Sequence, residues 1–448
     1  MQFAKKIESI FKKTLPAPFT IAVLLTFTTI VLALFITENT HTKYNIINIL
    51  EFWERGIWHP PLLVFAIQMM LMLVLGHVLA ITKPINFIIN RFTSYCTNTA
   101  KSASIITFFT LLVSFFNWGL GLIFGAIFAR KVGEFATKNN IKINYPLIGA
   151  AGYSGLMVWH GGISGSAPIK IAEEGHFLAN KIGVISQSET IFSSMNITLS
   201  IILLITLPLL MYWLGSNSKE KNIKLTISEN KKYNKTIYGA EKLNHSNLIA
   251  YLFGGIILLF AFYKAFILPD KISTSIITPN YINLVLLGFG IVFHQNFYNF
   301  LKAIDNAIKG ASGILIQFPL YFGIMGIMKD AGMVQIMSDF FVNISNEVTF
   351  PIFTFISAGV VNIFVPSGGG QWAIQGPIII DAASQLGVSI PKSVMALAYG
   401  DQITNMLQPF WALPLLGITG LKAKEILPFT LILLIAGSVI FIGGLLVF

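Results

Sequence analysis

Asp401 sits in the run Y-G-D-Q-I-T-N-M-L-Q-P, Tyr399 to Pro409, with apolar sequence on both sides. An acidic residue at a bilayer centre costs about 2.5–3.5 kcal/mol on insertion scales, which makes it a functional candidate. Gly400 and Pro409 bracket it together with Gln402, Thr404, Asn405 and Gln408. These oxygens, with the free carbonyls of a broken helix, could coordinate a cation or hydrogen-bond a substrate. The plainer reading is a structural polar network between packed helices. An earlier segment is similarly polar, with Tyr153, Ser154, His160, Ser164 and Ser166. His160 could carry a proton in coupling; the alternative is a histidine that bonds a neighbouring carbonyl. The lone His77 and His294 are read as structural.

A second candidate is V-P-S-G-G-G-Q-W-A-I-Q-G-P, Val365 to Pro377. Three glycines after a proline and a serine cannot continue a helix. Broken backbone at membrane depth is tolerated only where it is buried in protein or lines a cavity. Gly368, Gly369 and Gly370 would expose backbone N–H groups at the start of a half-helix from Gln371, a setting that favours a carboxylate. Ser367, Gln371 and Gln375 could add hydrogen bonds. A short loop outside the membrane is the simpler alternative. No Arg or Lys is expected deep in the core, so an anion bound there should carry little charge or arrive with a cation, which favours a monocarboxylate. Trp118, Trp159 and Trp372 could wall a short apolar tail, or be ordinary packing.

Enzymatic readings are weaker. Gly162-Ile163-Ser164-Gly165 matches the G-x-S-G of intramembrane serine hydrolases, with His160 as a base one turn earlier. Neither H-E-x-x-H nor G-x-x-x-x-G-K-[ST] occurs. The chain is therefore read as no enzyme, and its energy as coming from an ion gradient.

Composition sets the class. Of 448 residues, 54% are hydrophobic and 11% charged, and the mean hydropathy is +0.73. Such a chain is an all-α polytopic membrane protein with the lipid bilayer as its partner. The net charge of +11 belongs to loops and sets topology; no nucleic-acid partner is implied. The single Cys96 excludes an internal disulfide and a cysteine metal cluster. Lys5, Lys6, Lys12 and Lys13 precede the first apolar span. No small-residue cleavage site follows that span, so an uncleaved anchor is expected.

Charge then orders the elements. Spans are expected at 18–36 and 60–81, with a long exit at 37–59. The stretch 103–129 has Lys101 before it and Arg130, Lys131, Lys138 and Lys142 after it. Both ends should then be cytoplasmic, which requires a re-entrant hairpin with Asn117-Trp118-Gly119 at its tip. A glycine-broken span follows at 145–169, and a span at 189–214 leads to the most basic loop, Lys219 to Lys242. Further spans are expected at 246–268, 281–298, 311–328 and 427–447. The stretch 350–380, between Glu347 and Asp381, reads as a hairpin entering from outside, and 393–418 as a second broken span. This gives a first repeat at 1–215, a basic loop and linking span at 216–280, and a second repeat at 281–448. About nine transmembrane helices and two hairpins form an inverted repeat. The N-terminus is cytoplasmic and the C-terminus outside. Tyr153 and Tyr399, and Pro168 and Pro414, stand at the same separation; Asn117 and Asn362 stand one residue closer.

The Val365–Pro377 motif, followed by Y-G-D-Q-I-T-N-M-L-Q-P-F-W from Tyr399, resembles the bacterial short-chain fatty acid transporter family. The resemblance covers essentially the whole chain. It implies an elevator-type carrier in the bacterial cytoplasmic membrane, and a homodimer. It implies acetoacetate- or butyrate-like substrates moved with a cation, sodium or proton, and no other cofactor. C4-dicarboxylates or other small organic anions are the alternative. It also implies that substrate and coupling ion sit between the hairpin tips and the broken spans. Substrate would then meet Asn117, Trp118, Gly119, Ser164, Ser166 and the residues from Ser367 to Gln375. The ion would meet Asp401, Gln402, Asn405, His160 and Asn362, with sodium near Asn117 and Asp401 as one option. Related dicarboxylate carriers show Ser-Asn-Thr at both tips. Here the tips differ, so their sodium ligands do not transfer.

Overall fold

Asn117 alone separates two long helices. Its extended backbone (φ −152°, ψ 126°) ends the first, and its Oδ1 accepts from Leu120 N–H at 2.7 Å to start the second. Asparagine is a strong N-cap, so one residue both breaks and restarts the helix. The computed structural model describes residues 16, 18–38, 45–220, 225, 238–269, 271–365 and 367–448. Lys5, Lys6, Lys12 and Lys13, Lys43, most of the basic loop and Pro366 lie outside the described residues.

The helices run in chain order as α1 (Pro18–Glu38), α2 (Ile46–Ile57), α3 (Pro60–Ala80), α4 (Lys83–Thr93), α5 (Thr99–Phe116), α6 (Trp118–Lys138) and α7 (Tyr145–Tyr153). Next are α8 (Ser166–Lys170), α9 (Ala179–Ile182), α10 (Ser194–Ser216), α11 (Glu241–Asn244), α12 (Asn247–Phe266), α13 (Pro279–His294) and α14 (Phe297–Asp330). The chain ends with α15 (Met333–Ile344), α16 (Phe350–Phe364), α17 (Gly368–Leu386), α18 (Ile390–Thr404), α19 (Pro409–Thr419) and α20 (Ala423–Val447). Six of these are long and apolar enough to cross a membrane, among the described residues. The fold is helical throughout.

Two helical hairpins stand out. In α5–α6, Ser114 lies against Gly121 and Thr110 against Gly125, an antiparallel pairing. Both ends of this hairpin meet the same surroundings: Thr99 N–H donates to Glu220, and Leu225 N–H to Thr137 Oγ1. In α16–α17, Gln371 Nε2 donates to Ala358 O at 2.8 Å and Gln375 Nε2 to Ser357 Oγ at 3.2 Å. Ser367 starts α17 by accepting from Gly370 N–H. At the far end of that hairpin, Asp381 pairs with Lys181.

Each hairpin is followed by a broken helix. After α7 come two short 3-10 turns, Ser154–Met157 and Trp159–Gly161, then extended backbone at Gly162 and Gly165 before α8. After α18 comes the 3-10 turn Asn405–Leu407, and extended Gln408 precedes Pro409. The pyrrolidine ring disfavours helical backbone in the residue before it, and proline suits the first turn of the helix it opens. Close packing fixes the first hairpin to its break. A Cβ on Gly125 would fall 2.0 Å from Gly152 O, and one on Gly152 would fall 2.4 Å from Gly125 O. Where lipid surrounds a bundle, such backbone approach supplies much of the helix attraction.

Burial separates inner helices from outer ones. The apolar window of α3 is 67% buried, while that of α12 is 22% buried and presents Leu252, Ile256 and Leu259 outward. Three helices depart from the span pattern read from hydropathy. The exit 37–59 contains α2, whose Ile49, Phe52, Gly56 and Ile57 are buried and pack against α14. The span read at 311–328 is part of the 34-residue α14. The amphipathic α4 lies between the expected span at 60–81 and the stretch 103–129.

Candidate functional site

The two hairpin tips and the two helix breaks meet at one cavity of about 20 Å³. Its polar edge is Ser166, Ser367, Gly368, Gly369 and Asn405. Its apolar walls include Trp118, Trp159 and Trp411, with Leu156, and with Met69, Ile314 and Phe318 from α3 and α14. A cavity of this size admits about one water-sized sphere, so a four-carbon acid needs the walls to part. Trp118 lies tilted against Trp159 at 5.7 Å and meets Trp411 edge-on at 5.4 Å. The indole N–H groups of Trp118 and Trp159 are buried and donate to no acceptor among the described residues. The aromatic box therefore offers donors as well as apolar surface.

The glycines at 368–370 belong to the first turn of α17, and their φ is not positive. The half-helix thus starts at Gly368 rather than at Gln371, and glycine is required there by close approach. A Cβ on Gly368 would fall 2.7 Å from the Trp159 ring. One on Gly369 would fall 2.8 Å from Phe318 and 3.0 Å from Phe65, and one on Gly370 would fall 2.6 Å from Tyr321. The N–H groups of Gly368 and Gly369 are first-turn donors with no intrahelical acceptor, and both residues face the cavity.

Other expected substrate residues sit elsewhere in this conformation. Gln371 Nε2 is committed to Ala358 O and to Gln375 Oε1, and Gln375 Nε2 to Ser357 Oγ. Both glutamines staple the second hairpin. Trp372 is buried against Phe177, away from the cavity lining. Asn117 caps α6, and Gly119 packs against Leu73. Ser164 Oγ accepts from Trp118 N–H at 3.0 Å, so the first break holds the first tip.

Asp401 is 1% exposed, and neither carboxylate oxygen accepts a hydrogen bond among the described residues. His160 Nδ1 faces Oδ1 at 3.4 Å without hydrogen-bond alignment. His160 Nε2 accepts from Ala167 N–H at 3.1 Å, so Nδ1 carries the ring proton and points toward the carboxylate. Neither ring nitrogen is bonded to Ser164, which leaves that serine without a base. Asn362 Nδ2 donates to Asp401 O, Thr404 Oγ1 and Asn405 Oδ1. Its own Oδ1, with Gln408 Oε1 and Gln371 Oε1, is buried and accepts no hydrogen bond among the described residues. Carboxylate and amide oxygens are the ligand types of hard cations. Gln402 Oε1 accepts from His160 N–H and ties the second broken helix to the first break.

Each break is braced from the other half of the chain. Tyr153 OH donates to Asn405 O at 3.0 Å, in the second break. Tyr399 OH donates to Asn196 Oδ1 at 2.9 Å, and Asn196 Nδ2 donates to Gly161 O, in the first break. The expectation of no Arg or Lys deep in the core missed one group. Lys170 is 3% exposed and bonds Gln68 and Glu173. That corrects the expectation of no deep cation.

A sequence model of the family described as short chain fatty acid transporter matches residues 1–448. The chain belongs to the short-chain fatty acid transporter family. Among its relatives in that family, an Escherichia coli protein provisionally named short-chain fatty acid transporter is 36% identical over 440 residues, 97% of this chain and 96% of the relative. A Haemophilus influenzae protein with the same provisional name is 38% identical over 446 residues, again 97% and 96%. Solved structures share the fold at low identity. The YdaH transporter of Alcanivorax borkumensis superposes with a TM-score of 0.55 at 12% identity, covering 96% of this chain and 98% of that one. MtrF of Neisseria gonorrhoeae, placed in a class of antimetabolite efflux pumps, superposes with a TM-score of 0.59 at 13% identity, covering 98% and 97%. This family member is thus a helical transporter with several membrane-length helices.

Proposed function

We propose that this chain is a secondary carrier of short-chain monocarboxylates, butyrate- or acetoacetate-like, across the bacterial cytoplasmic membrane, driven by a cation gradient. The observation that carries the reading is the cavity itself: one polar edge of first-turn N–H groups and hydroxyls, and aromatic and aliphatic walls elsewhere. One carboxylate and a short tail match that division. Asp401, whose buried carboxylate accepts no hydrogen bond among the described residues, is the candidate for the coupling cation, a sodium ion or a proton on the carboxylate. Ser164 as a hydrolase nucleophile finds no support in the position of His160.

The test is uptake of labelled butyrate in proteoliposomes, with sodium and pH gradients imposed separately. Accumulation above equilibrium under one gradient, blocked by acetoacetate and spared by succinate, is the expected result. Block by succinate at equal concentration would move the substrate class to dicarboxylates.

In the same proposal the hairpins are re-entrant, enter from opposite faces, and belong to an inverted repeat that works as an elevator within a homodimer. Cysteines placed at Lys101 and Lys131 are expected to react with impermeant reagent only from the cytoplasm. Those at Glu347 and Asp381 should react only from outside. Opposite sidedness within either pair removes the hairpins.

A further inference from the structure

Two aromatic rings in series, Phe65 and Phe318, stand between Lys170 and the cavity. It ends α8, one helical turn beyond Ser166 at the cavity's polar edge, so both lie on one face of that helix. Its Nζ stands 5.5 Å over the Phe65 ring. Phe65 in turn pairs with Phe318, which lines the cavity, and both rings press on Gly369.

The charge of Lys170 is held by a network that spans separate elements. Nζ donates to Gln68 Oε1 at 3.2 Å and pairs with Glu173. Gln68 Nε2 donates to Glu173 Oε1 at 2.7 Å, and Asn280 Nδ2 donates to the same oxygen at 3.2 Å. Gln68 is on α3 and Asn280 on α13, whereas Lys170 and Glu173 follow the first break. Phe65 is one turn before Gln68 on α3. A slide of α3 past α8 would therefore break the network and withdraw the Phe65 wall together.

We propose that Lys170 is the cation that receives the substrate carboxylate when this wall opens, with Glu173 holding its charge while the wall is closed; this rests on the carrier function proposed above. A buried lysine costs too much to leave alone, so an exchangeable carboxylate partner is the chemical requirement. Glu173 and a monocarboxylate substrate present the same group. Exchange of one for the other keeps the ammonium paired in both states.

The experiment is butyrate uptake kinetics in proteoliposomes for four variants. Lys170→Met should raise KM by about tenfold to a hundredfold, the loss of a charge-assisted hydrogen bond, with maximal rate changed little. Lys170→Arg should keep KM within about threefold of wild type, because the charge remains. Glu173→Gln should leave KM unchanged or lower it, since Lys170 loses its competing partner. The double variant Lys170→Met/Glu173→Gln removes the pair together and leaves no lone buried charge, so folding is preserved. Its KM should stay raised. A double variant with wild-type KM would show that the pair is only structural and overturn the assignment. Wild-type protein that takes up no butyrate would overturn the carrier reading, and this assignment with it.

Discussion

Gly369→Val lowers transport by about a hundredfold or more, in protein that still reaches the membrane. A Cβ at this position already falls 2.8 Å from Phe318 and 3.0 Å from Phe65, and valine adds two methyl groups. Phenyl rings are stiff and these are buried, so the backbone at the start of α17 must move instead. Overpacking of this kind costs about 1–3 kcal/mol in ordinary cores. Here the displaced atoms are the N–H groups proposed above to receive the carboxylate. The control is Gly310→Val, where nothing lies within 4 Å of the added Cβ; its uptake should match wild type. Equal butyrate affinity and rate in Gly369→Val and wild type would place the substrate elsewhere.

Asp401→Asn separates stability from coupling. The carboxylate is buried and accepts no hydrogen bond among the described residues, so its charge is a burden to the fold alone. The isosteric amide should give a thermal midpoint equal to or above that of wild type. Ion-driven accumulation should vanish, while exchange of substrate across the membrane persists. Measurement of both activities on one preparation checks this. Normal accumulation against a gradient would make Asp401 structural, and a fall in thermal midpoint would show that the charge has a partner in the protein.

Much of this architecture was legible because polar and breaking residues are rare in apolar sequence. The glycines of 145–169 and the polar run around Asp401 located both breaks. Positive charge on both sides of 103–129 required the turn at Asn117. The misses have physical causes. Hydropathy averaged over a span length hides a short amphipathic helix such as α2, although Ile49, Phe52 and Gly56 recur at helical spacing. Lys170 lies just past the broken span expected at 145–169, where lysines ordinarily reach water. The residues it packs against and bonds, Phe65 and Gln68, are distant in sequence. The triple glycine was legible as a break, but its purpose was not: only the rings of Trp159, Phe318 and Tyr321 show that space, rather than backbone freedom, requires it. Gln371 and Gln375 were readable as polar, while their pairing across the hairpin depends on where α16 lies.

The reciprocal tyrosine braces bear on slippage. Tyr153 is fastened to the break that holds Asp401, and Tyr399, through Asn196, to the break that holds His160. Cavity wall and carboxylate are thereby geared to one another, with no soft joint between them. Passage of one cargo without the other would require a tooth of that gear to strip. In the cation-coupled carrier proposed above, a fixed ratio of solute to cation would follow from that stiffness, and a leak should appear first in Tyr153→Phe, whose only loss is the hydroxyl that engages the opposite break.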